Sequence, residues 1–180
     1  LVAGRGSRLG DITQDTPKCL VPINKEPLLT RSLHQISALG VKKIIIVVGY
    51  KSDVIKEEYQ SLFNGMEICY VFNKDWETTN NLVSFYLAFP CIDSDYILLE
   101  GDLIYTGKAI SKMCSTDSMA VSPLKPYMDG TVVTIDNDNC VKMMYLKSSS
   151  KRPEKSELLY KTVNIYSFSQ SSHEKFIKPG

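Results

Sequence analysis

The stretch that decides the fold is LVAGRGSRLG, residues 1–10, in which a short apolar segment leads directly into a loop with three glycines and two arginines. We interpret the apolar residues as the end of a buried strand. The glycines allow the backbone to approach a ligand closely, and successive N–H groups in such a loop can bind an anion. Arg5 and Arg8 add guanidinium groups that suit phosphate oxygens. The stretch therefore predicts a phosphate-binding loop.

The glycine spacing separates this loop from two better-known ones. It is G-x-G-x-x-x-G, one residue longer than the dinucleotide fingerprint, although Glu26 follows about 20 residues later as that fingerprint requires. No Gly-Lys-Ser/Thr follows, so the loop is not a Walker A motif. These differences disfavour an NAD(P)-dependent oxidoreductase. By itself, the loop is also compatible with a glycine-rich turn whose arginines are solvated.

Two other segments carry candidate chemistry. In PKCLVP, residues 17–22, Lys18 is held between two prolines, and its compact charge suits an α-phosphate during transfer. In LLEGDLI, residues 98–104, Asp102 follows a buried strand, where open α/β sheets bind their ligands. A carboxylate there can hold Mg²⁺. Each residue alone would also fit a structural role, as a surface lysine or a turn-forming aspartate.

Hydrophobic periodicity predicts alternating helices and strands in the first part of the chain. The predicted helices are 30–39, 53–63 and 81–88, the strands between them are 44–48, 67–72 and 96–100, and shorter β segments follow at 119–121, 131–135, 141–145 and 162–168. Strands that alternate with helices form right-handed crossovers. We therefore predict a three-layer α/β/α, doubly wound and mostly parallel sheet with a small β extension. Residues 1–180 should form a single domain, truncated at both ends.

Composition excludes several classes of protein. The net charge of +1 argues against nucleic acid and anionic membranes as partners. No apolar run approaches the roughly 18 residues that a transmembrane helix requires. The five cysteines are widely spaced without a C-x-x-C pair, which predicts reduced thiols that act as apolar packing residues in a cytoplasmic protein: Cys19, Cys69, Cys91, Cys114 and Cys140.

In their order and spacing, the three segments resemble the nucleotidyltransferase superfamily, which includes the MobA-like and sugar-phosphate nucleotidyltransferases. NKDW (residues 73–76) and TNNLVS (79–84) resemble the cytidylyltransferase branch that acts on phosphocholine and on phosphonates such as 2-aminoethylphosphonate. DGTVV (129–133) and YKTVNIY (160–166) are similar to a subgroup fused to a C-terminal PLP-dependent aminotransferase-like domain. The resemblance covers essentially the whole chain.

This resemblance implies a Rossmann-like nucleotidyltransferase fold that transfers CMP from CTP to a small phosphate or phosphonate and releases pyrophosphate. It implies catalytic roles for Lys18, Arg8 and Asp102, with Asp102 as the Mg²⁺ ligand. The implied nucleotide-binding residues are Ala3, Gly4, Arg5, Gly6, Ser7, Arg8, Asn80, Asn81, Ser84 and Gly101, and the acceptor-binding candidates are Lys161, Lys125 and Asp129. Where the superfamily usually supplies a second metal carboxylate, the chain has the neutral Asn164.

Alternatives remain open from the sequence. One is a sugar-1-phosphate nucleotidyltransferase that uses UTP, GTP or dTTP. Another is a non-catalytic nucleotide-binding module, which the missing second carboxylate favours. The acceptor is not determined by the sequence: phosphocholine, an aminoalkylphosphonate and a related small phosphate all fit. Trp76 is equally compatible with a cation–π contact to a quaternary ammonium group and with an anchor for its own loop.

Overall fold

The structure is a computed structural model that describes residues 1–113, 117–147 and 158–177. For residues 173, 174, 176 and 177 only the backbone is described. Of the five cysteines, Cys114 lies outside the described residues, so the packing role predicted for it stays a prediction.

The elements alternate as predicted in the first part of the chain. The helices are α1 (Leu28–Ala38), α2 (Ser52–Tyr59), α3 (Asn81–Ala88), α4 (Gly107–Ser111) and α5 (Gln170–Ile177), and 3-10 turns cover Ser7–Thr13, Lys18–Leu20 and Phe89–Cys91. The strands are β1 (Pro22–Ile23), β2 (Glu26–Pro27), β3 (Lys43–Val48), β4 (Leu62–Phe63), β5 (Met66–Phe72), β6 (Tyr96–Leu99), β7 (Ser118–Pro123), β8 (Val132–Ile135), β9 (Val141–Tyr145) and β10 (Tyr160–Phe168). None of the described helices has the length and apolar character needed to cross a membrane.

The second predicted helix is shorter than expected. α2 ends at Tyr59, and residues 62–63 of the predicted helix form β4, which pairs antiparallel with β5. The backbone leaves the helix at Gln60, with φ +52°, and turns back at Asn64, with φ +47°. Positive φ values break a right-handed helix, and hydrophobic periodicity does not reveal them.

Two sheets form the centre of the molecule. β3 and β5 are parallel, in a register that runs from Lys43 opposite Glu67 to Val48 opposite Phe72. The second sheet has the order β6-β10-β8-β9, with β7 also paired to β10, and all its pairings are antiparallel. This antiparallel part is larger than the small extension predicted, because the nine-residue β10 pairs with three other strands.

Residues 1–3 join the two sheets. The Val2 amide donates to the Val47 carbonyl of β3 at 2.9 Å. On the other side, the Leu1 nitrogen donates to the Leu99 carbonyl at 2.8 Å, and the Gly101 amide donates back to the Leu1 carbonyl at 2.9 Å. In parallel strands, one residue bonds through its N–H and C=O groups to the two residues that flank its partner, as Leu1 does with Leu99 and Gly101. The predicted parallel order therefore holds for β5, β3, the N-terminal segment and β6.

Helices cover both faces of the parallel part. Ile46 and Val48 of β3 pack in the main core with residues of α1 and α2, such as Leu33 and Ile55. Val47, which is 1% exposed, lies on the opposite face because side chains alternate along a strand. α3 lies against β3 and β5 without contributing to that core cluster. The three-layer arrangement predicted from the sequence follows.

Replacing Leu33 by alanine should destabilise the domain. Leu33 has no solvent exposure, so the substitution removes buried methyl groups and leaves a cavity, at a cost of about 3 kcal/mol in the free energy of unfolding. Urea denaturation measures this change. The control is Leu82→Ala, at a position that is 69% exposed, and it should have little effect. Equal losses from the two variants would contradict the core assignment.

Candidate functional site

The structure brings Lys18 and Asp102 into contact although 84 residues separate them in the chain. Lys18 Nζ lies 2.5 Å from Asp102 Oδ2, and the two side chains are 31% and 38% exposed. Lys18 is the first residue of a 3-10 turn. The second residue of this turn, Cys19, is buried and packs in the core. Asp102 follows the end of β6. The pair therefore lies at the surface, where a ligand can reach both charges.

The glycine loop packs directly against Lys18. Gly6 has φ +77°, and a Cβ atom at this position would lie 2.8 Å from the Cβ and Cδ atoms of Lys18. Thr13, which is fully buried, donates its hydroxyl to the Gly6 carbonyl at 3.1 Å and to the Gly10 carbonyl at 3.3 Å. The loop therefore has a fixed course beside Lys18. Arg8 is exposed on the 3-10 turn that follows Gly6.

Arg5 is oriented by an aromatic pair that the sequence analysis did not identify. Its guanidinium carbon lies 5.7 Å from the centre of the Tyr50 ring, and that ring meets Trp76 edge-on at 5.3 Å. The Tyr50 hydroxyl donates a short hydrogen bond to the Gln14 carbonyl. Trp76 packs so closely that a Cβ at Gly49 would lie 2.5 Å from it. These contacts favour the interpretation of Trp76 as an anchor for the loop.

Of the three predicted residues at the start of α3, only Asn81 makes a side-chain contact with the site. Asn80 caps the helix, since its Oδ1 accepts from the amides of Leu82 at 3.0 Å and Val83 at 3.3 Å. Ser84 is 3% exposed and accepts a hydrogen bond from Asn73 Nδ2 at 3.0 Å. The Ser84 hydroxyl therefore supports a buried asparagine, a role that helical spacing alone cannot show, and its contact with the nucleotide stays a prediction.

Glu100 is a site residue that the sequence analysis left without a role. Its Oε1 accepts from Asn81 Nδ2 at 2.9 Å, and its Oε2 accepts from Asn164 Nδ2 at 3.0 Å. Asn164 has φ +57° and lies where the register of β10 against β7 shifts, so its side chain leaves the regular alternation of the strand. The available signal was a second carboxylate at the strand end, two residues before Asp102.

Gly101 serves the fold more directly than the ligand. A Cβ atom there would lie 2.1 Å from Cγ1 of Val2 and 3.1 Å from the Leu1 carbonyl oxygen. The side that a side chain would occupy is therefore filled by the N-terminal segment. Packing against this segment is therefore a structural reason for a glycine here, and the contact of Gly101 with the nucleotide stays a prediction.

The acceptor candidates lie around Gly130. A Cβ at Gly130 would lie 3.3 Å from Cε and Nζ of Lys161, whose ammonium group donates to the Thr162 carbonyl at 2.7 Å. Asp129 Oδ2 lies 2.5 Å from Nζ of Lys147, a residue not predicted from the sequence. The ammonium of Lys125 lies 5.9 Å from the centre of the Tyr127 ring. Lys161 and Asp129 thus flank one glycine, whereas Lys125 begins the preceding turn, in which the Met128 amide donates to the Lys125 carbonyl at 2.9 Å.

Burial determines which nearby groups can react. It raises the pKa of the Cys19 thiol to about 12, so this cysteine stays protonated and is a packing residue, as predicted. It also raises the pKa of the Tyr105 phenol, and the Asp102 and Glu100 carboxylates raise it further. Neither group can act as a base at neutral pH. Among the described residues, no three His, Cys, Asp or Glu side chains form a metal-binding group.

An apolar cavity of about 550 Å³ is lined by Leu1 and Val2 and by residues of α1, β3, α3 and β6. Its lining includes Ile46, Phe85 and Leu98, but neither Lys18 nor Asp102. The lining also includes Lys43 and Asp93, but these two charges pair with each other at 2.9 Å.

Comparison with known proteins agrees with this geometry. The family model described as "MobA-like NTP transferase domain" matches residues 1–142. CMP-5'-(3-aminopropyl)phosphonate synthase of Streptomyces rubellomurinus is 38% identical over 142 residues, which are 77% of this chain and 22% of that protein. A UTP–glucose-1-phosphate uridylyltransferase of Haloferax volcanii is 33% identical over 105 residues, 58% of this chain and 42% of that protein. The chain thus spans less than half the length of either relative.

The fold also matches solved structures. The CTP:phosphocholine cytidylyltransferase of Streptococcus pneumoniae superimposes with a TM-score of 0.67 and 21% identity, over 98% of this chain and 72% of that one. The predicted Rossmann-like nucleotidyltransferase fold is therefore confirmed.

Replacing Ser84 by alanine should lower stability and leave the surface of the site intact. The buried Asn73 amide would lose one partner, which costs about 1–3 kcal/mol in the free energy of unfolding. Thermal or urea denaturation measures this loss, with the exposed Ser61→Ala as the control. A Ser84→Ala variant with unchanged stability would show that the hydroxyl has no structural role.

Proposed function

The chain belongs to the family of MobA-like NTP transferase domains, and we propose that it transfers CMP from CTP to a small phosphate or phosphonate acceptor with release of pyrophosphate. The observation that carries this proposal is the contact between Lys18 and Asp102 beside the Gly6 loop. A phosphate-binding loop, a placed ammonium group and a strand-end carboxylate together suit one triphosphate.

In the proposed reaction, an acceptor oxygen attacks the α-phosphorus of CTP. A bond forms between that oxygen and the α-phosphorus, the bond from the α-phosphorus to the bridging oxygen of the β-phosphate breaks, and pyrophosphate leaves. A phosphate monoester carries negative charge at neutral pH, since even its second pKa is near 6, and a phosphonate is likewise an anion. No strong general base is then required. Positioning and charge neutralisation lower the barrier.

Lys18 and the two arginines of the loop have different roles in this reaction. Lys18 would stabilise the charge that develops on the α-phosphoryl group, and Arg5 and Arg8 would hold the β- and γ-phosphates. Arg5 is already oriented over the Tyr50 ring, so less conformational freedom is lost when it binds. The backbone from Ala3 to Ser7 would follow the triphosphate.

Asp102 fits a divalent cation of the Mg²⁺ type. Such an ion is commonly held by one or two protein carboxylates, with phosphate oxygens and water as the other ligands. Asp102 supplies one exposed carboxylate, and its ion pair with Lys18 at 2.5 Å supports a position that binds positive charge. The bound ion would neutralise charge on the phosphate oxygens.

Acceptor binding is proposed for the group around Gly130. The Lys161 ammonium is suited to the phosphate or phosphonate oxygens, and Lys125 is the competing candidate. Asp129 would bind an acceptor amine, which would have to replace Lys147 at 2.5 Å. An aminoalkylphosphonate carries both charges that this group can match. Similarity to the phosphonate synthase of S. rubellomurinus supports this acceptor class.

A second candidate is a sugar-1-phosphate nucleotidyltransferase that uses UTP, which the similarity to the uridylyltransferase of H. volcanii favours. A non-catalytic nucleotide-binding module is the third. A pyrophosphate-release assay that crosses four NTPs with a panel of phosphates, phosphonates and sugar phosphates separates all three. CTP with a phosphate or phosphonate should give the highest rate. Nucleotide binding without pyrophosphate release from any pair would favour the third.

Two wider inferences accompany this proposal. We infer a cytoplasmic location, supported by the free thiols of Cys19, Cys69, Cys91 and Cys140. A fused C-terminal PLP-dependent aminotransferase-like domain remains a prediction from residues 129–133 and 160–166.

Lys18→Ala should lower the rate of pyrophosphate release by about 10²–10³-fold, because it removes a positive charge aimed at the transition state. The affinity for CTP should fall only modestly, since the loop and its arginines remain. Steady-state kinetics and a CTP titration measure the two effects. Lys42→Ala, at an exposed position, is the control for charge alone. An unchanged kcat in Lys18→Ala would refute the role assigned to Lys18.

CTP should change the fluorescence of Trp76 in a saturable manner. Trp76 is the one tryptophan of the chain, and it contacts Tyr50, on which Arg5 lies. Phosphate binding to Arg5 should alter the contacts of Arg5 with Tyr50 and of Tyr50 with Trp76. Titrations with CTP, UTP, GTP and dTTP, each with Mg²⁺, compare the affinities, and CTP should bind most tightly. Tighter binding of another nucleotide would contradict the choice of CTP.

A further inference from the structure

The Glu100 carboxylate connects two elements that border the site. Through Asn81 it bonds the first turn of α3, and through Asn164 it bonds the irregular part of β10, at 2.9 and 3.0 Å. Glu100 itself follows β6 and stands two residues before Asp102. We refer to Asn81, Glu100 and Asn164 as the amide clamp.

The clamp fixes the orientation of both amide groups. An ionised carboxylate accepts hydrogen bonds and donates none, so each asparagine must turn its nitrogen toward Glu100 and its oxygen away. This removes the ambiguity between oxygen and nitrogen that an isolated asparagine amide has. The network alone therefore decides which polar atom each asparagine presents elsewhere.

The two asparagines present their oxygens in different places. Asn164 Oδ1 lies near two hydroxyl groups of the protein, Thr162 Oγ1 at 3.4 Å and Tyr166 OH at 3.5 Å. Asn81 is exposed on the first turn of α3. Its Oδ1 is directed away from Glu100 and is thus available as an acceptor at the surface of the site.

We propose that Glu100 is a positioning residue that determines nucleobase specificity by presenting Asn81 as a hydrogen-bond acceptor. Such an acceptor favours a pyrimidine edge with an exocyclic amino group over one with a carbonyl, and therefore cytosine over uracil. A uracil carbonyl facing Asn81 Oδ1 would leave two acceptors without a donor, which is unfavourable once water is excluded. This inference rests on the proposed function and on the predicted role of Asn81 in nucleotide binding, because it requires that the base binds at α3.

Glu100 acts here through Asn81 and does not itself contact the substrate. Each of its two oxygens already accepts an amide N–H. Asp102, in contrast, is paired with the lysine proposed to contact the α-phosphate. The two carboxylates that follow β6 therefore have separate roles, one for the base and one for the triphosphate.

The test is Glu100→Gln, assayed by the ratio of the dissociation constants for CTP and UTP, from Trp76 fluorescence or calorimetry on the full chain. The new side chain has one acceptor oxygen and one donor nitrogen, so it can no longer hold both amides in the same orientation. Asn164 keeps its orientation because its Oδ1 lies near two hydroxyl groups, so the glutamine oxygen faces Asn164 and Asn81 is free to turn its nitrogen outward. We expect the preference for CTP over UTP to fall about tenfold, which corresponds to one hydrogen bond. Glu67→Gln, at an exposed position of β5, is the matched control.

A double variant tests the mechanism directly. In Glu100→Gln combined with Asn81→Asp, the new glutamine can donate to the new aspartate and still accept from Asn164. One carboxylate oxygen then faces the ligand, and an acceptor is restored. We expect this double variant to regain most of the CTP preference lost in Glu100→Gln, even if both nucleotides bind more weakly. A purely structural role of Glu100 would not produce such a recovery.

The outcomes separate this inference from the proposed function. Wild-type protein that does not prefer CTP contradicts the proposed function. A CTP-selective wild type with an unchanged CTP:UTP ratio in Glu100→Gln overturns the positioning role alone, and so does a double variant without recovery. Circular dichroism and the melting temperature check that each variant folds. If Glu100→Gln does not fold, Asn81→Ala replaces it and should lose the CTP preference. An unchanged ratio in Asn81→Ala would overturn the inference.

Discussion

The structure depends on the narrow space that residues 1–3 occupy between β3 and β6. The segment hydrogen-bonds to both strands, and glycines stand at its two sides where a side chain would collide. A Cβ at Gly49 would lie 2.7 Å from the Ala3 carbonyl oxygen, and one at Gly101 would lie 2.1 Å from Val2. Because both neighbours lack side chains, the glycine loop emerges at the same edge of the sheet as Asp102.

This constraint explains why residues that are distant in the chain form one site. Parallel strands end at the same edge, so the loop that follows residue 3, the Tyr50 that follows β3 and the Asp102 that follows β6 are placed together. Lys18 reaches the edge because its stem lies against Gly6.

Packing and hydrogen bonds hold the residues around the Lys18–Asp102 pair in place. The buried Thr13 hydroxyl hydrogen-bonds to the Gly6 carbonyl of the loop. The Tyr50 ring, which contacts Trp76, packs against Arg5. The amide clamp connects α3 to β10 across the end of β6. A site whose groups are held before the ligand arrives loses less entropy on binding and gains more from each charge.

The sequence by itself determined the alternation of helices and strands, and it selected the glycine loop, Lys18 and Asp102 as site candidates, because these follow from local periodicity, glycine spacing and strand ends. Only the tertiary structure decided which side chains face the site. It directed Ser84 to Asn73, filled the free side of Gly101 with Val2, and joined Glu100 to two asparagines. Such pairings depend on contacts between residues far apart in the chain and on backbone angles such as the φ of +57° at Asn164, and local patterns encode neither.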